Sequence, residues 1–230
     1  MRSISKKMSV LLTAIMFSFS TTVYSFEGLS LGAVYSSLDF STTGSETAAG
    51  AAGDGTLSKN TTTKSGSGDL GSLFAEYTFA QGTTIGVEMI DGTAELGKGS
   101  RTNTSPEGTA GDVTVKAEIS DPITFYVEPT FMMNDVFGIY VKGGATTVSV
   151  EPKETADAGA VVNSTYKSKD VWGIMTGVGA KYYMGNFFAK AEYVETEFET
   201  YSHQSTTGNL NTIVADIDTE ETRFAIGYNF

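Results

Sequence analysis

Six carboxylates stand at alternate positions on two sides of one stretch near the carboxyl end: Glu195, Glu197 and Glu199 before it, Asp216, Asp218 and Glu220 after it. In extended chain, alternate residues share a face. The register that pairs positions summing to 415 sets Glu199 against Asp216, Glu197 against Asp218 and Glu195 against Glu220. Directly opposed like charges destabilise a strand pair unless something neutralises them. Oxygen-only ligands suit Ca²⁺ or Mg²⁺, so the ladder, with Glu197 and Asp218 at its centre, is a candidate divalent-cation site. The competing reading is a solvated acidic rim screened by salt.

Other chemistry is sparse. His203 is the one histidine, flanked by Ser202 and Ser205. A hydrolase would need that base held by a carboxylate and set beside a serine, and neighbours along a chain are not such a constellation. Gly66, Gly68 and Gly71 in GSGDLG fit a dinucleotide fingerprint by spacing, yet a strand follows them instead of the helix whose amino end would bind phosphate. With no cysteine in the chain, no Cys/His metal cluster can form. No catalytic residue and no cofactor is expected.

A second charged set is scattered along the chain: Glu76, Glu88, Glu128, Lys142, Lys181, Lys190, Glu192 and Arg223. Each lies within an alternating stretch, on the face opposite its apolar residues. Leu29, Leu31, Ala33 and Tyr35 open the series; Leu73, Ala75, Tyr77 and Phe79 come next, then Ile85, Val87 and Met89. Val113, Val115, Ala117, Ile119, Ile123, Phe125 and Val127 share a face, as do Phe137, Ile139 and Val141. Trp172 to Met184 and Phe187 to Tyr193 repeat the pattern, and Thr222, Phe224, Ile226, Tyr228 and Phe230 end it. That makes eight strands of period two.

Short and long connections alternate strictly between them. Ala80-Gln81-Gly82, a few residues around Met133-Asn134-Asp135, and Gly185-Asn186 are tight turns. Roughly 41 to 68, 92 to 112, 151 to 169 and 200 to 215 are Gly/Ser/Thr-rich and are expected to be loops. At the amino end, Arg2, Lys6 and Lys7 precede the apolar run 10 to 17, and Val23-Tyr24-Ser25 offers a cutting site, so residues 1 to 25 are an export leader. No stretch reaches the ~20 apolar residues of a spanning helix; a chain that crosses a membrane this way must do so with strands. Without the leader, 12 bases face 27 acids, a formal charge of −15 that argues against nucleic acid or anionic headgroups as direct ligands.

The pattern resembles the small eight-stranded outer-membrane barrels of the OmpA-transmembrane-domain and opacity-protein type. The resemblance covers residues 26 to 230, implies an all-β, eight-stranded antiparallel up-and-down transmembrane β-barrel, and rests on no catalytic signature. It implies that Phe224, Tyr228 and Phe230 in the closing TRFAIGYNF are read by the barrel-assembly machinery, and that the final strand closes on the first. The eight scattered charges then point inward, four acids against four bases, and form an ionic belt in a lumen just wide enough for side chains. The expected protein is a monomeric, non-enzymatic resident of the bacterial outer membrane. Its four long loops would meet lipopolysaccharide, neighbouring cells or a host, with any cation ladder bridging to lipopolysaccharide phosphates; the alternative is a narrow porin-like channel for small solutes. The chain without its leader is expected to need detergent or lipid to stay monodisperse. A compact monomer in plain buffer, seen by light scattering, would refute the barrel.

Overall fold

The structure, a computed structural model, describes residues 26–48, 58–90, 93–103, 111–156, 166–206 and 212–230. The leader read from residues 1 to 25 lies outside them. Among the described residues there are ten strands and no helix: β1 (Gly28–Ala48), β2 (Ser58–Thr78), β3 (Thr83–Met89), β4 (Thr93–Asn103), β5 (Gly111–Met132), β6 (Phe137–Ala156), β7 (Lys169–Met184), β8 (Phe187–Phe198), β9 (Tyr201–Gln204) and β10 (Thr212–Asn229). All pairings are antiparallel, with β3 passing over β4 to pair with β5 and β8 over β9 to pair with β10, and β10 returns to β1. The short strands β4 and β9 continue the lines of β3 and β8, so the ring has eight staves.

Closure follows from register. From Ser30 the paired positions run through Glu76, Gly86, Tyr126, Gly144, Met175, Thr196 and Thr219, and return to β1 at Phe40, ten residues further on. At strand spacings of about 4.8 Å and about 3.3 Å per residue, that offset tilts eight staves by roughly 40° around a radius of roughly 8 Å. Every residue named on that row points inward. One residue then climbs about 2.5 Å, and an apolar band of about 25 Å takes about ten residues per stave.

The outer face carries that band. Leu73, Phe125, Phe224 and Ile226 are exposed, Ile226 at 70%. Burial alternates along β10 from Asp216 to the end, with the odd positions Ile217, Thr219, Arg223, Ala225, Gly227 and Asn229 inward. Tyr77, Tyr182, Phe187, Tyr228 and Phe230 mark the short-turn end of the band, and Tyr35, Trp172 and Tyr193 mark the other. Tyr228 packs edge-on against both Phe187 and Phe230, with ring centroids 5.0 and 5.1 Å apart.

Two expectations need correction. The described parts of the four long segments are largely strand: β1 and β2 stay paired from Gly28↔Thr78 to Ala48↔Ser58, and β5 stays paired with β6 as far as Val113↔Ala156. Besides residues 1–25, the ranges 49–57, 91–92, 104–110, 157–165 and 207–211 fall outside the described residues. Gly/Ser/Thr composition lowers intrinsic strand preference, but a stave already aligned by its neighbours extends the ladder with little further ordering cost. The other correction concerns β5. Its register slips between Ser120 and Ile123, with Asp121 at φ 52°, and this bulge inverts the alternation. Phe125 stays outward, whereas Ile119 turns into an apolar cluster inside the ring.

That cluster comprises Val148, Val150, Val171, Tyr201 and Ile217, with Phe40, Ile119, Phe198, Ile213 and Ala215 against it. All lie beyond the apolar band, toward the long hairpins. Burial pushes the Tyr201 phenol up to about 12, and its hydroxyl donates to the Lys167 carbonyl at 3.4 Å. Outside this level the wall is polar; Lys153 bridges Glu118 at 2.6 Å, a contact that raises the Lys153 pKa. Among the described lysines and arginines, Lys167 alone lies outside a strand. Trypsin applied to intact cells is accordingly expected to cut first after Lys167, read by mass spectrometry of the released fragments. Equal or faster cutting at Lys64 or Lys153 would contradict the extended hairpins.

Candidate functional site: the lumen belt

All eight charges of the scattered set turn into the ring and are buried, Glu128 completely. They form one connected system. Lys190 Nζ lies 2.6 Å from Glu76 Oε2 and 2.8 Å from Glu128 Oε2. Lys181 Nζ is 3.1 Å from Glu76 Oε1 and 3.8 Å from Glu128 Oε2. Lys142 joins Glu128 to Glu192, at 3.1 Å from each. Arg223 pairs with Glu88, and its Nε stands 3.2 Å from Glu192 Oε2 without making a hydrogen bond. Lys181 and Lys190 are direct cross-strand partners, and the carboxylates between them come from β2 and β5, on the far side of the lumen.

Four members went unnoticed in the sequence. Glu221 lies 3.8 Å from Arg223 Nη1, which gives five carboxylates, Glu76, Glu88, Glu128, Glu192 and Glu221, to four cations. Its place two residues before Arg223 is the signal that could have found it. Tyr126 donates to Glu76 Oε2 at 3.1 Å, and Tyr140 donates to Glu192 Oε1 at 2.6 Å. Ser72 donates to the remaining oxygen of Glu88 at 2.5 Å. Carboxylates in a dry interior need such donors to satisfy lone pairs that the cations leave over.

Packing explains how the tube supports the belt. Phe74, Tyr126, Tyr140 and Phe188 each lie over an inward glycine of the adjacent stave, Gly32, Gly86, Gly179 and Gly227 respectively; a Cβ at any of the four would overlap the ring. These joints use each of the eight staves once. The four rings meet around Lys190, whose Nζ lies 5.1 Å from the Phe74 centroid, 5.8 Å from Tyr126, 5.7 Å from Tyr140 and 5.6 Å from Phe188. A desolvated cation over a ring face is stabilised by about 2 kcal/mol, so carboxylates and rings act together on this ammonium. Below it, at the short-turn end, Val34, Phe74, Tyr183, Phe188 and Ala225 form a second apolar cluster with Phe26 and Met132.

The outward acids behave differently. Glu197 pairs with Asp218, and Glu195 with Glu220, as the 415 register requires. Glu199 does not face Asp216. The ladder breaks at residues 199 and 200 and resumes one step shifted, with Tyr201 opposite Ala215, so Thr200 Oγ1 instead donates to Asp216 Oδ1 at 2.6 Å. Tyr193 donates to Glu220 at 2.9 Å. Among the described residues, no group of three or more Asp, Glu, His or Cys side chains could hold a metal ion. His203 Nε2 is buried without a hydrogen-bond partner.

A closed ring of eight staves, greasy outside and ionic inside, is matched by family: the model of the outer membrane protein β-barrel domain fits residues 9–230. The chain belongs to that family. It is a β-barrel of the bacterial outer membrane, in an environment of lipid and lipopolysaccharide. Among solved structures it is similar to Neisserial surface protein A, at 13% identity over 86% of this chain and 99% of that one, with a TM-score of 0.40. OprG of Pseudomonas aeruginosa shares 12% identity over 92% and 100%, with a TM-score of 0.44. Ail of Yersinia pestis, the attachment invasion locus protein, shares 15% identity over 86% and 99%, with a TM-score of 0.30. No curated protein matches the chain.

Removing Lys190 would leave five carboxylates to three cations, with Glu76 held only by Lys181 and Tyr126 and Glu128 only by Lys142 and Lys181. Lys190→Met is expected to destabilise the barrel by about 3–5 kcal/mol, measured by urea unfolding in lipid vesicles. Adding Glu128→Gln should recover part of that loss, and a Lys190→Met variant as stable as the parent would contradict the central role of the ammonium.

Proposed function

We propose that the barrel is a non-enzymatic anchor with a closed lumen, which holds four hairpins above the outer leaflet for contact with lipopolysaccharide, neighbouring cells or a host surface. The observation that carries this reading is the position of Lys190, closed in by two carboxylates and four rings where a solute path would have to run. An apolar cluster above it and an aromatic one below support the same reading, since a conducting path needs water or polar groups along its whole length. Tight turns at one end and extended hairpins at the other suit a periplasmic and an external side respectively. Segments 49–57, 104–110, 157–165 and 207–211 contain no lysine or arginine and are dominated by small and polar residues, a composition suited to broad, weak contacts.

During biogenesis the barrel-assembly machinery is the expected partner, engaging the exposed aromatics Phe224, Tyr228 and Phe230, and the mature barrel is expected to act as a monomer. Planar bilayer recording tests the closed lumen. Purified protein should insert without a steady unitary conductance. A reproducible open level that disappears on altering Arg223 or Glu192 would replace the anchor with a narrow channel.

A further inference from the structure

The periplasmic mouth is closed by the first described residue. Phe26 stacks on Tyr183 with ring centroids 3.7 Å apart and planes 5° from parallel, and it packs against the cluster of Val34, Phe74, Phe188 and Ala225. The same ring forms one wall of a small cleft, whose other walls are Thr78, Gly82, Thr130, Met132 and Tyr183. Its backbone is tied to the far end of the chain. Asn229 Nδ2 donates to the Phe26 carbonyl at 3.0 Å, while Asn186 Nδ2 donates to the Asn229 carbonyl at 3.0 Å and the Asn229 amide donates to the Asn186 carbonyl at 2.8 Å. The asparagine is buried, 9% exposed, yet its Oδ1 has no donor. A buried amide oxygen without a partner costs about 1–3 kcal/mol.

The leader read from the sequence ends at Ser25, one bond before the residue that this asparagine already grips. We propose that Phe26 is the latch of the periplasmic mouth, and that the amino group freed by cutting the Ser25–Phe26 bond is the donor that Asn229 Oδ1 awaits. Hydrolysis of that amide gives the hydroxyl of water to the Ser25 carbonyl carbon and a proton to the Phe26 nitrogen. The nitrogen takes a second proton from solvent at neutral pH and becomes an ammonium with three donors. An uncut chain offers a single amide N–H there, already directed by the peptide plane, whereas an ammonium turns its protons freely toward an acceptor. Leader removal thereby completes the seal as well as releasing the protein, and the receptor for the new terminus is built from the last strand and the β7–β8 turn.

Because the chain has no cysteine, a single thiol at Thr130→Cys in the mature barrel reports on the cleft alone. Labelling by a charged, membrane-impermeant maleimide is measured on detergent-refolded protein, with resistance of the unheated barrel to trypsin as the folding control. Phe26→Ala should raise the labelling rate at least 10-fold, and Phe26→Leu, which keeps an apolar cover without the stacked ring, should raise it less. A chain extended by one methionine before Phe26, which moves the charge without touching the ring, should also label several-fold faster than the mature chain. An unchanged rate with Phe26→Ala overturns the latch. A raised rate with Phe26→Ala but none with the extended chain overturns the role of the amino group.

Discussion

One buried ammonium sets the terms for the whole barrel. Lys190 reaches the centre of a tube too narrow to hold solvent around it, so its charge persists only because Glu76 and Glu128 approach from opposite staves. Those carboxylates in turn require Lys181 and Lys142, and Lys142 requires Glu192, which Arg223 then shares with Glu88. Seven of the eight staves are tied into this chain of charges, and the remaining one, β1, is locked by the Phe74 ring resting over Gly32. A pair of charges buried alone adds little stability, whereas a belt that engages seven staves penalises any slip of register. Because a one-residue slip would turn each charge toward lipid, the belt specifies the alignment more than it deepens the energy well.

A second consequence concerns height. Along one stave the inward and outward sets exchange character at the same level. On β8 the inward Lys190 and Glu192 give way to Val194 and Phe198 just where the outward Tyr193 gives way to Glu195 and Glu197. On β10 the inward Arg223 gives way to Ile217 where the outward Phe224 gives way to Glu220 and Asp218. The row Glu195, Glu220, Asp39 thus marks the surface of the hydrocarbon. Below it the barrel is apolar outside and ionic within; above it, the ordinary arrangement of a water-soluble barrel takes over, with the cluster of Val148, Val150, Val171, Tyr201 and Ile217 as its core. Continuous backbone pairing lets a single wall serve both solvents, because the ladder is indifferent to which face meets water.

Much of this was legible in the chain. Period two gave the staves and the facing of the eight belt residues, and Gly185-Asn186 set Lys181 across from Lys190 as observed. What escaped was whatever depends on a neighbour distant in sequence. Segments such as 41 to 48 and 58 to 68 look like loops by composition and become strand through pairing already begun lower in the barrel. The inversion at Asp121-Pro122 is carried by a single left-handed residue, which leaves the apolar spacing of Ile119, Ile123 and Phe125 unaltered while reversing which of them faces outward. Inward glycines looked like gaps in the pattern until Phe74, Tyr126, Tyr140 and Phe188 were seen lying over four of them. The register of the acidic pairs holds at Glu197 and Glu195 and fails at Glu199, where two residues leave the ladder.

Spin labels placed singly along β10 from Val214 to Tyr228 test the arrangement most directly, with oxygen reporting lipid and a water-soluble nickel chelate reporting solvent. Even positions from Thr222 onward should favour oxygen, even positions at and before Glu220 should favour nickel, and odd positions from Ile217 to Gly227 should be shielded from both. Nickel access at the odd positions through Arg223 would mean an open aqueous lumen and would contradict the closed belt.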